Sequence, residues 1–185
     1  MSSYLLAWAV GPLDSTPLEG LSVPGHVYTP RGHAHELGFV LRETPKIISA
    51  LEQYFGTAYP YRKLDFVAVP EFAFGAMENA GLVAYRTDLL LIGDQASGRK
   101  AENVLNTIAH EVAHMWYGDL VTMAWWDDLW LNEAFATWMA RSILEGLYPE
   151  YESVLKLPQA GAFPRDQLPS AKPIRRTLRN EAEII

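Results

Sequence analysis

Two histidines four residues apart, His110 and His114 in the segment HEVAH, restrict the fold more than any other feature of the sequence. On an α-helix, residues at this spacing lie on one face a turn apart, so both imidazoles can reach the same point. Glu133 follows His114 after 18 intervening residues. That interval allows the first helix to end, a loop over 119–126, and a second helix packed antiparallel to the first. The sequence therefore predicts two packed helices that bring these three side chains together.

The residue types at these positions predict a zinc site. Two neutral histidines and one carboxylate are the ligand set of hydrolytic zinc sites that keep a fourth position for water. The chain has no cysteine, so a metal must be held by His, Asp and Glu. We predict one Zn²⁺ per chain, held by His110, His114 and Glu133. Glu111 is the predicted catalytic base, which takes a proton from water at the metal and delivers it to the leaving amine. The alternative is two ordinary helix histidines.

Thr137, one turn beyond Glu133, has two possible roles. Its hydroxyl can either support a metal ligand or hydrogen-bond to the backbone of its own helix. Five tryptophans at 116, 125, 126, 130 and 138 are predicted to pack between the two helices rather than to form a stacking surface.

The remaining patterns predict an α+β fold, with a mixed β-sheet in the first part of the chain and helices in the second. The predicted strands are 4–10, 21–28, 63–69 and one or two over 82–92. The predicted helices run from an N-cap at Thr44 to Gly56, from about Gly98 to Gly118, and from Asp127 or Asp128 to Gly146, and a shorter helix follows Pro149. Residues 33–43 also have a helical pattern, and Pro45 is then a kink or a break between this pattern and the helix that follows. We predict a single domain over 1–185, with a sheet half at 1–97 and a helical half at 98–185.

Composition excludes several classes of partner. The chain is 49% apolar and 20% charged, which is typical of a folded protein, and no run approaches the roughly 20 apolar residues of a membrane span. No basic region precedes the first apolar run, so no signal peptide is predicted, and a soluble protein with a cytoplasmic location is favoured. The net charge of −7 argues against nucleic acid as a partner.

The segment GAMEN at 75–79 is the second informative feature. Gly75 and Ala76 leave room for a peptide backbone, and an exposed strand edge here could add a substrate strand. A glutamate buried beside a zinc site, such as Glu78, can pair with a cation. The alternative is a turn with Glu78 in a surface ion pair. Phe72 and Met77 either line a pocket for the first substrate side chain or pack in the core.

These motifs together resemble the aminopeptidase N family of zinc aminopeptidases, a gluzincin family. The segments YLLAWAV, LEQYFGTAYPYRKLDFVAVPEF and KPIRRTLRNEAEI extend the similarity over nearly the whole chain. The resemblance implies a thermolysin-like zincin catalytic domain that acts on peptides with a free N-terminus. It implies that Glu78 anchors the substrate α-amine, so that only the N-terminal peptide bond is hydrolysed. The substrate-binding residues it implies are Gly75, Ala76, Met77, Glu78 and Asn79.

Part of the family pattern is not in this sequence. The family usually carries, shortly after a stretch like RNEAEI, a tyrosine that stabilises the oxyanion, and the sequence ends at Ile185. We therefore expect a truncated catalytic core that self-associates through surfaces normally covered by other domains. Two alternatives stay open: an inactive metal-binding fragment, and a zinc endopeptidase of the thermolysin type. Glu78 argues against the second, because an amine anchor blocks longer N-terminal extensions.

Overall fold

The structure is a computed structural model that describes residues 3–96, 98–152, 159–175 and 177. Its strands are Leu13–Pro17 (β1), His26–Pro30 (β2), Asp65–Val69 (β3), Ala76–Met77 (β4) and Leu82–Arg86 (β5). Its α-helices are Gly38–Phe55 (α1), Gly98–Ala113 (α2), Leu129–Leu147 (α3) and Gln159–Asp166 (α4). The predicted α+β fold is confirmed. No helix of the described residues is long and apolar enough to cross a membrane.

The five strands form one mixed sheet in the order β1-β2-β3-β5-β4. The inner pairs β2–β3 and β3–β5 are parallel, whereas the outer pairs β1–β2 and β4–β5 are antiparallel. Parallel neighbours need a crossover connection, and α1 supplies it between β2 and β3. The segment GAMEN begins in the bend before β4, so it lies at the edge of the sheet, as expected for a strand that could receive a substrate.

The core lies between the sheet and the three long helices. Strand β3 is central and buried along Phe66, Val67 and Ala68, as its apolar sequence predicts for a parallel strand covered on both faces. On α2, Val104, Ile108 and Val112 form a buried apolar face, since each is at most 1% exposed. This face fixes the orientation of α2 and so directs its histidines away from the core centre.

The strand predicted at 4–10 is wrong. Residues Ser3–Leu5 form a 3-10 turn, and 6–10 are irregular, with Trp8 90% and Val10 99% exposed. The first strand forms instead in LDSTP, which lies between the first two predicted strands. Pairing decides this outcome, since β1 lies antiparallel to β2 from Leu13↔Pro30 to Pro17↔His26. The strand predicted at 21–28 begins only at His26, because a backbone hydrogen bond from Leu18 to Gly25 closes a turn before it.

The helix break predicted at Pro45 is also wrong. Helix α1 runs unbroken from Gly38 to Phe55, and Thr44 is buried within it instead of capping it. An internal proline costs about 3 kcal/mol. Burial offsets that cost, because the helix buries a set of large apolar side chains that lie on both sides of the proline: Phe39, Val40, Ile47, Ile48 and Leu51. The predicted end at Gly56 is confirmed, since this glycine is left-handed with φ 65°.

Several boundaries in the second half of the chain differ from the predictions. Helix α2 ends at Ala113 rather than at Gly118, and 87–89 form a 3-10 turn rather than a further strand. Asp128 stands at the N-cap position of α3 without a capping hydrogen bond, because its carboxylate accepts hydrogen bonds from Arg175. A short helix after Pro149 is confirmed as α4. Most of the segment KPIRRTLRNEAEI lies outside the described residues.

The predicted packing of tryptophans between α2 and α3 is not observed for Trp116, which is buried but stacks on α1. Trp116 is 4% exposed, stacks on Phe55 at 4.8 Å between ring centroids, and donates its indole N–H to Thr57. Three others, at 125, 130 and 138, are 40–59% exposed and therefore do not pack between the helices.

Glu43 joins α1 to the residue that follows α3. Its carboxylate accepts hydrogen bonds from Tyr148 Oη (2.7 Å), Lys46 Nζ (2.6 Å) and Arg42 Nε (2.8 Å). Burial alone would raise the pKa of Glu43, but the bonds from Lys46, Tyr148 and Arg42 outweigh it and hold the pKa below its ordinary value. The charged form is therefore bound more favourably in the folded state than in the unfolded state.

We expect Glu43→Gln to lower the free energy of unfolding by about 1–3 kcal/mol at pH 7, because it weakens hydrogen bonds to a charged group. A lowered carboxyl pKa contributes stability above the ordinary Glu value of 4.5, and this stability is lost as pH falls through the folded pKa. In urea unfolding, the difference in the free energy of unfolding between Glu43→Gln and the unsubstituted chain should therefore be smaller at pH 3 than at pH 7. An equal difference at both pH values would contradict this assignment. The matched control is Glu19→Gln, at an exposed position.

Candidate metal centre and substrate cleft

The three predicted metal ligands meet at one point. His110 lies in the last turn of α2, and His114 follows directly after the helix with its backbone N–H still bonded to the carbonyl of His110 (3.3 Å). Their Nε2 atoms are 3.1 Å apart. Glu133 Oε2, from α3, lies 3.4 Å from His110 Nε2 and 3.9 Å from His114 Nε2.

These separations fit a zinc ion. Zinc binds nitrogen and carboxylate oxygen at about 2.0–2.2 Å in tetrahedral geometry, so neighbouring donor atoms lie roughly 3.3 Å apart. The three separations observed here lie around that value. Two neutral nitrogens and one anionic oxygen also form a hydrolytic zinc ligand set, which leaves one coordination position free.

Helices α2 and α3 pack antiparallel, as predicted. Asn132 near the start of α3 contacts His114, whereas Thr137 farther along contacts His110, which is earlier on α2. His114 Nδ1 lies 3.1 Å from both the side-chain oxygen of Asn132 and the carbonyl of Tyr117. Both partners are acceptors, so Nδ1 carries the proton and the lone pair of Nε2 is free for a metal.

The protonation states suit metal binding. Burial lowers the pKa of His114, which favours the neutral, ligating form of its imidazole. Burial would raise the pKa of Glu133, but the hydrogen bond with His110 and the nearby histidines lower it overall, so its carboxylate is ionised. The Thr137 hydroxyl lies 3.4 Å from His110 Nδ1, a long hydrogen bond.

Glu111 lies beside the three ligands and is 6% exposed. Burial, followed by the charges of Glu78, Glu133 and Asp119, raises the pKa of its carboxyl to about 9 in the protein without metal. A cation held by the histidines would oppose that shift. A buried carboxyl that can hold or release a proton near a metal is suited to general acid–base chemistry.

Glu78 approaches the same centre from the sheet edge. It directly follows β4 and is 5% exposed, and no residue of the described chain hydrogen-bonds its Oε1. One ligand atom each of Glu78, Glu111 and His114 lie within 4.8 Å of one another. A buried carboxylate oxygen without a hydrogen bond attracts a donor or a cation.

A cleft of about 550 Å³ connects these groups. The predicted site residues that line it are Gly75, Ala76, Met77, Glu78, His110, Glu111 and Glu133, together with Thr137. Asn79 is not among them; it is 6% exposed, and its backbone N–H bonds to the carbonyl of Met77. Phe72 also lies away from this cleft, so only Met77 of the predicted apolar pair faces it.

Two residues of the site were missed by the sequence analysis. Asn132 precedes Glu133, and a polar residue on a buried helix face was the signal that could have identified it. Asp119 was assigned only to a loop, yet it is 7% exposed and neither of its carboxylate oxygens has a hydrogen bond within the described residues. A single aspartate after a glycine carries no pattern that distinguishes it from a surface residue.

Gly118 leaves the space that the Asn132 side chain occupies. Its φ is 121°, and a Cβ atom here would lie 2.1 Å from Asn132 Oδ1. We expect Gly118→Ala to displace Asn132 from His114 and to lower zinc affinity by about 10- to 100-fold, as is typical when a group that supports a metal ligand is lost. A chelator competition titration measures this change in zinc affinity.

The matched control is Gly146→Ala in α3, where a Cβ meets nothing within 4 Å. The control should keep its zinc affinity and gain about 0.5–1 kcal/mol of stability; unchanged affinity in Gly118→Ala would contradict the role of Asn132.

The chain is similar to known peptidases of one family. Residues 39–185 match the Peptidase family M1 domain. The whole chain is 42% identical to "Aminopeptidase 2" of Candida albicans, 41% to "Aminopeptidase M1-D" of Oryza sativa subsp. japonica, and 40% to "Probable aminopeptidase 2" of Sulfurisphaera tokodaii. The alignments cover 20%, 22% and 24% of those proteins, so the chain spans about a fifth to a quarter of the length of these relatives.

Proposed function

The chain belongs to peptidase family M1, and on this premise we propose that it is the catalytic core of a zinc aminopeptidase, a single thermolysin-like domain over 1–185. The observation that carries the proposal is the position of Glu78. Its carboxylate lies within 4.8 Å of a ligand atom of His114, so an amine bound to Glu78 is about one residue from the metal centre. The proposed substrates are peptides with a free N-terminus.

His110, His114 and Glu133 are the proposed ligands of one zinc ion. Zinc held by such donors supplies Lewis acidity, which acidifies water and polarises a substrate carbonyl. The protein orients these donors from outside the site: Asn132 fixes the tautomer of His114, and Thr137 lies next to His110. Support of this kind keeps the imidazoles in their ligating orientation.

Glu111 is the proposed proton carrier. Its burial makes the ionised form costly, which favours proton uptake. In the reaction, the Glu111 carboxylate accepts a proton from the attacking water and later donates it to the nitrogen of the leaving amine. The same group therefore serves as base and then as acid.

Glu78 is the proposed anchor of the substrate α-ammonium group. A charge-assisted hydrogen bond to its carboxylate fixes the N-terminus, and only the first peptide bond then reaches the metal centre. The edge strand β4 orients the rest of the peptide, because Ala76 and Met77 can pair with an extended substrate strand. The small residues Gly75 and Ala76 allow that approach.

Metal analysis and two reporters test this proposal. The chain should bind one equivalent of zinc and hydrolyse leucine p-nitroanilide but not its N-acetylated form. The variant Glu78→Gln should weaken binding of the free-amine reporter and keep its zinc. Cleavage of both reporters at similar rates would contradict an exopeptidase, and zinc loss in Glu78→Gln would contradict the role of this residue. Zinc binding without any turnover would favour the alternative of an inactive fragment.

The exposed apolar side chains suggest a surface for self-association. Leu6, Trp8 and Val10 are 59–99% exposed in the segment before β1. Exposed apolar groups that cluster on one segment favour association with another apolar surface. We propose that the chain self-associates through this segment, which analytical ultracentrifugation can test.

A further inference from the structure

Two buried carboxyl groups with unpartnered oxygen atoms line one cavity beside the candidate metal centre. Asp119 is 7% exposed and Glu78 is 5% exposed. Both oxygens of Asp119 and Oε1 of Glu78 lack a hydrogen-bond partner in the part of the chain that the structure describes. Burial of a carboxylate without hydrogen bonds or a counter-ion is strongly unfavourable. The folded protein keeps two such groups side by side, so a positively charged ligand would stabilise this arrangement.

Both carboxylates line the same cavity. It has a volume of about 190 Å³, and its wall includes Gly118, Asn132 and the aromatic residues Trp125 and Trp126. Glu78 also lines the cleft that contains Glu111 and the metal ligands. Glu78 therefore lies at the boundary between the two spaces, while Asp119 lines the smaller cavity.

The backbone fixes Asp119 relative to the metal centre. Its N–H donates to the carbonyl of His114 (3.0 Å), and the N–H of Gly118 donates to the carbonyl of Val121 (2.8 Å). Asp119 is thus held in the tight loop that follows the second metal ligand. These backbone bonds fix the point from which the Asp119 side chain enters the cavity, so its charge is preorganised at this place.

The charges around Asp119 are of one sign. Burial, together with the charge of Glu78, raises the pKa of the Asp119 carboxyl to about 8, and the charge of Asp119 in turn raises the pKa of Glu111. Among the described residues, no lysine, arginine or histidine lies within salt-bridge distance of either Asp119 or Glu78. A cation at the metal centre would supply positive charge near Glu78. At Asp119 the positive charge has to come from a ligand of the smaller cavity or from protons.

We propose that Asp119 and Glu78 together bind the terminal ammonium group of the substrate, with Asp119 as the second carboxylate of the amine site. This inference rests on the proposed aminopeptidase function. A primary ammonium group has one positive charge and three N–H donors, so it can bond to Glu78 Oε1 and to Asp119 at once. An acylated amine has a single N–H and no charge, and it would leave both carboxylates uncompensated.

Paired ligands test this inference by binding, without turnover. The zinc-loaded chain is titrated calorimetrically with L-leucinamide and with N-acetyl-L-leucinamide. The Kd of the acetylated ligand divided by the Kd of the free amine measures recognition of the free amine. We expect Asp119→Asn to reduce this ratio by about 10- to 100-fold, the size of a lost hydrogen bond to a charged group. Glu78→Gln should have a similar effect. The control Asp88→Asn removes one negative charge at an exposed position beside Arg86 and should not change the ratio.

The outcomes separate this inference from the proposed function. If Glu78→Gln reduces the ratio and Asp119→Asn does not, Asp119 is not part of the amine site and the inference is overturned, while the aminopeptidase proposal stands. If the unsubstituted chain shows no preference for the free amine, the proposed function itself fails. A second equivalent of zinc that binds the chain and is lost in Asp119→Asn would also overturn the inference, because the cavity would then hold a metal. Should Asp119→Asn not fold, Asp119→Ser with the same ligand pair decides the question.

Discussion

Replacement of Glu111 by glutamine should lower kcat by about 100- to 10,000-fold, the range that general acid–base groups supply, while zinc content stays the same. Glutamine has the same shape but cannot accept a proton from water at neutral pH. The proposed metal ligands are His110, His114 and Glu133, so the proposed metal centre would keep its full donor set. Steady-state kinetics on leucine p-nitroanilide, with zinc measured on the same sample, checks both parts.

The matched control is Glu102→Gln, which makes the same change about two helical turns before His110 on the same helix. It should leave kcat within about a factor of two, since substitutions away from the site have small effects. Equal losses of activity in both variants would show that the effect comes from the helix and not from proton transfer at Glu111.

The variant Glu111→Gln should also differ from the unsubstituted chain in the pH dependence of its stability when no metal is bound. The native chain holds the Glu111 proton up to about pH 9, whereas the unfolded chain releases it near the ordinary value of 4.5. Between these values the native state binds more protons, so the free energy of unfolding falls as pH rises. Without zinc, Glu111→Gln should therefore be more stable than the unsubstituted chain at pH 9. Thermal unfolding in EDTA at pH 6 and pH 9 measures the difference, which should be larger at pH 9.

Replacement of Glu133 by alanine should lower zinc affinity by more than the roughly 10- to 100-fold typical of residues that only support a ligand. The change removes one of three donors and the only anionic one in the proposed set. The Glu133 side chain is 49% exposed, so its loss should change the stability of the metal-free chain little. Chelator competition gives the affinity, and thermal unfolding in EDTA gives the stability. The matched control, Glu145→Gln on the same helix, should bind zinc normally.

The same variant distinguishes two sets of candidate ligands. Besides His110, His114 and Glu133, the side chains of Glu78, Glu111 and His114 also converge within 4.8 Å. His114 belongs to both sets, so its removal does not separate them. If Glu133→Ala keeps full zinc affinity and Glu78→Gln loses it, the metal occupies the second set and the proposed ligand assignment is wrong.

The sequence predicted that His110, His114 and Glu133 converge, because the determinants of this arrangement are local. The spacing of His110 and His114 is a property of any α-helix, and the 18 residues before Glu133 set the length of the loop between two helices. These geometric constraints act within a short segment. The confirmed packing of α2 against α3 follows from them and from the apolar face of α2.

Predictions failed where long-range pairing or burial overrides local preference. LDSTP forms a strand because β2 offers it backbone partners, which no local pattern reveals. Thr44 and Pro45 carry a strong helix-start signal, yet the burial of both flanks keeps α1 continuous. Asp119 was missed because its significance comes from Glu78, 41 positions away in the sequence and close only in the fold.

The proposed metal ligands all come from one helix–loop–helix segment, residues 110–133, whereas Glu78 comes from the sheet. Closing the short loop between α2 and α3 has a small entropic cost, and contacts of this kind form early in folding. Contact between β4 and α2 requires the slower assembly of a sheet whose parallel strands are distant in sequence. The proposed hydrolytic chemistry therefore depends on contacts within one short segment, whereas the proposed selectivity for the N-terminus depends on completion of the sheet.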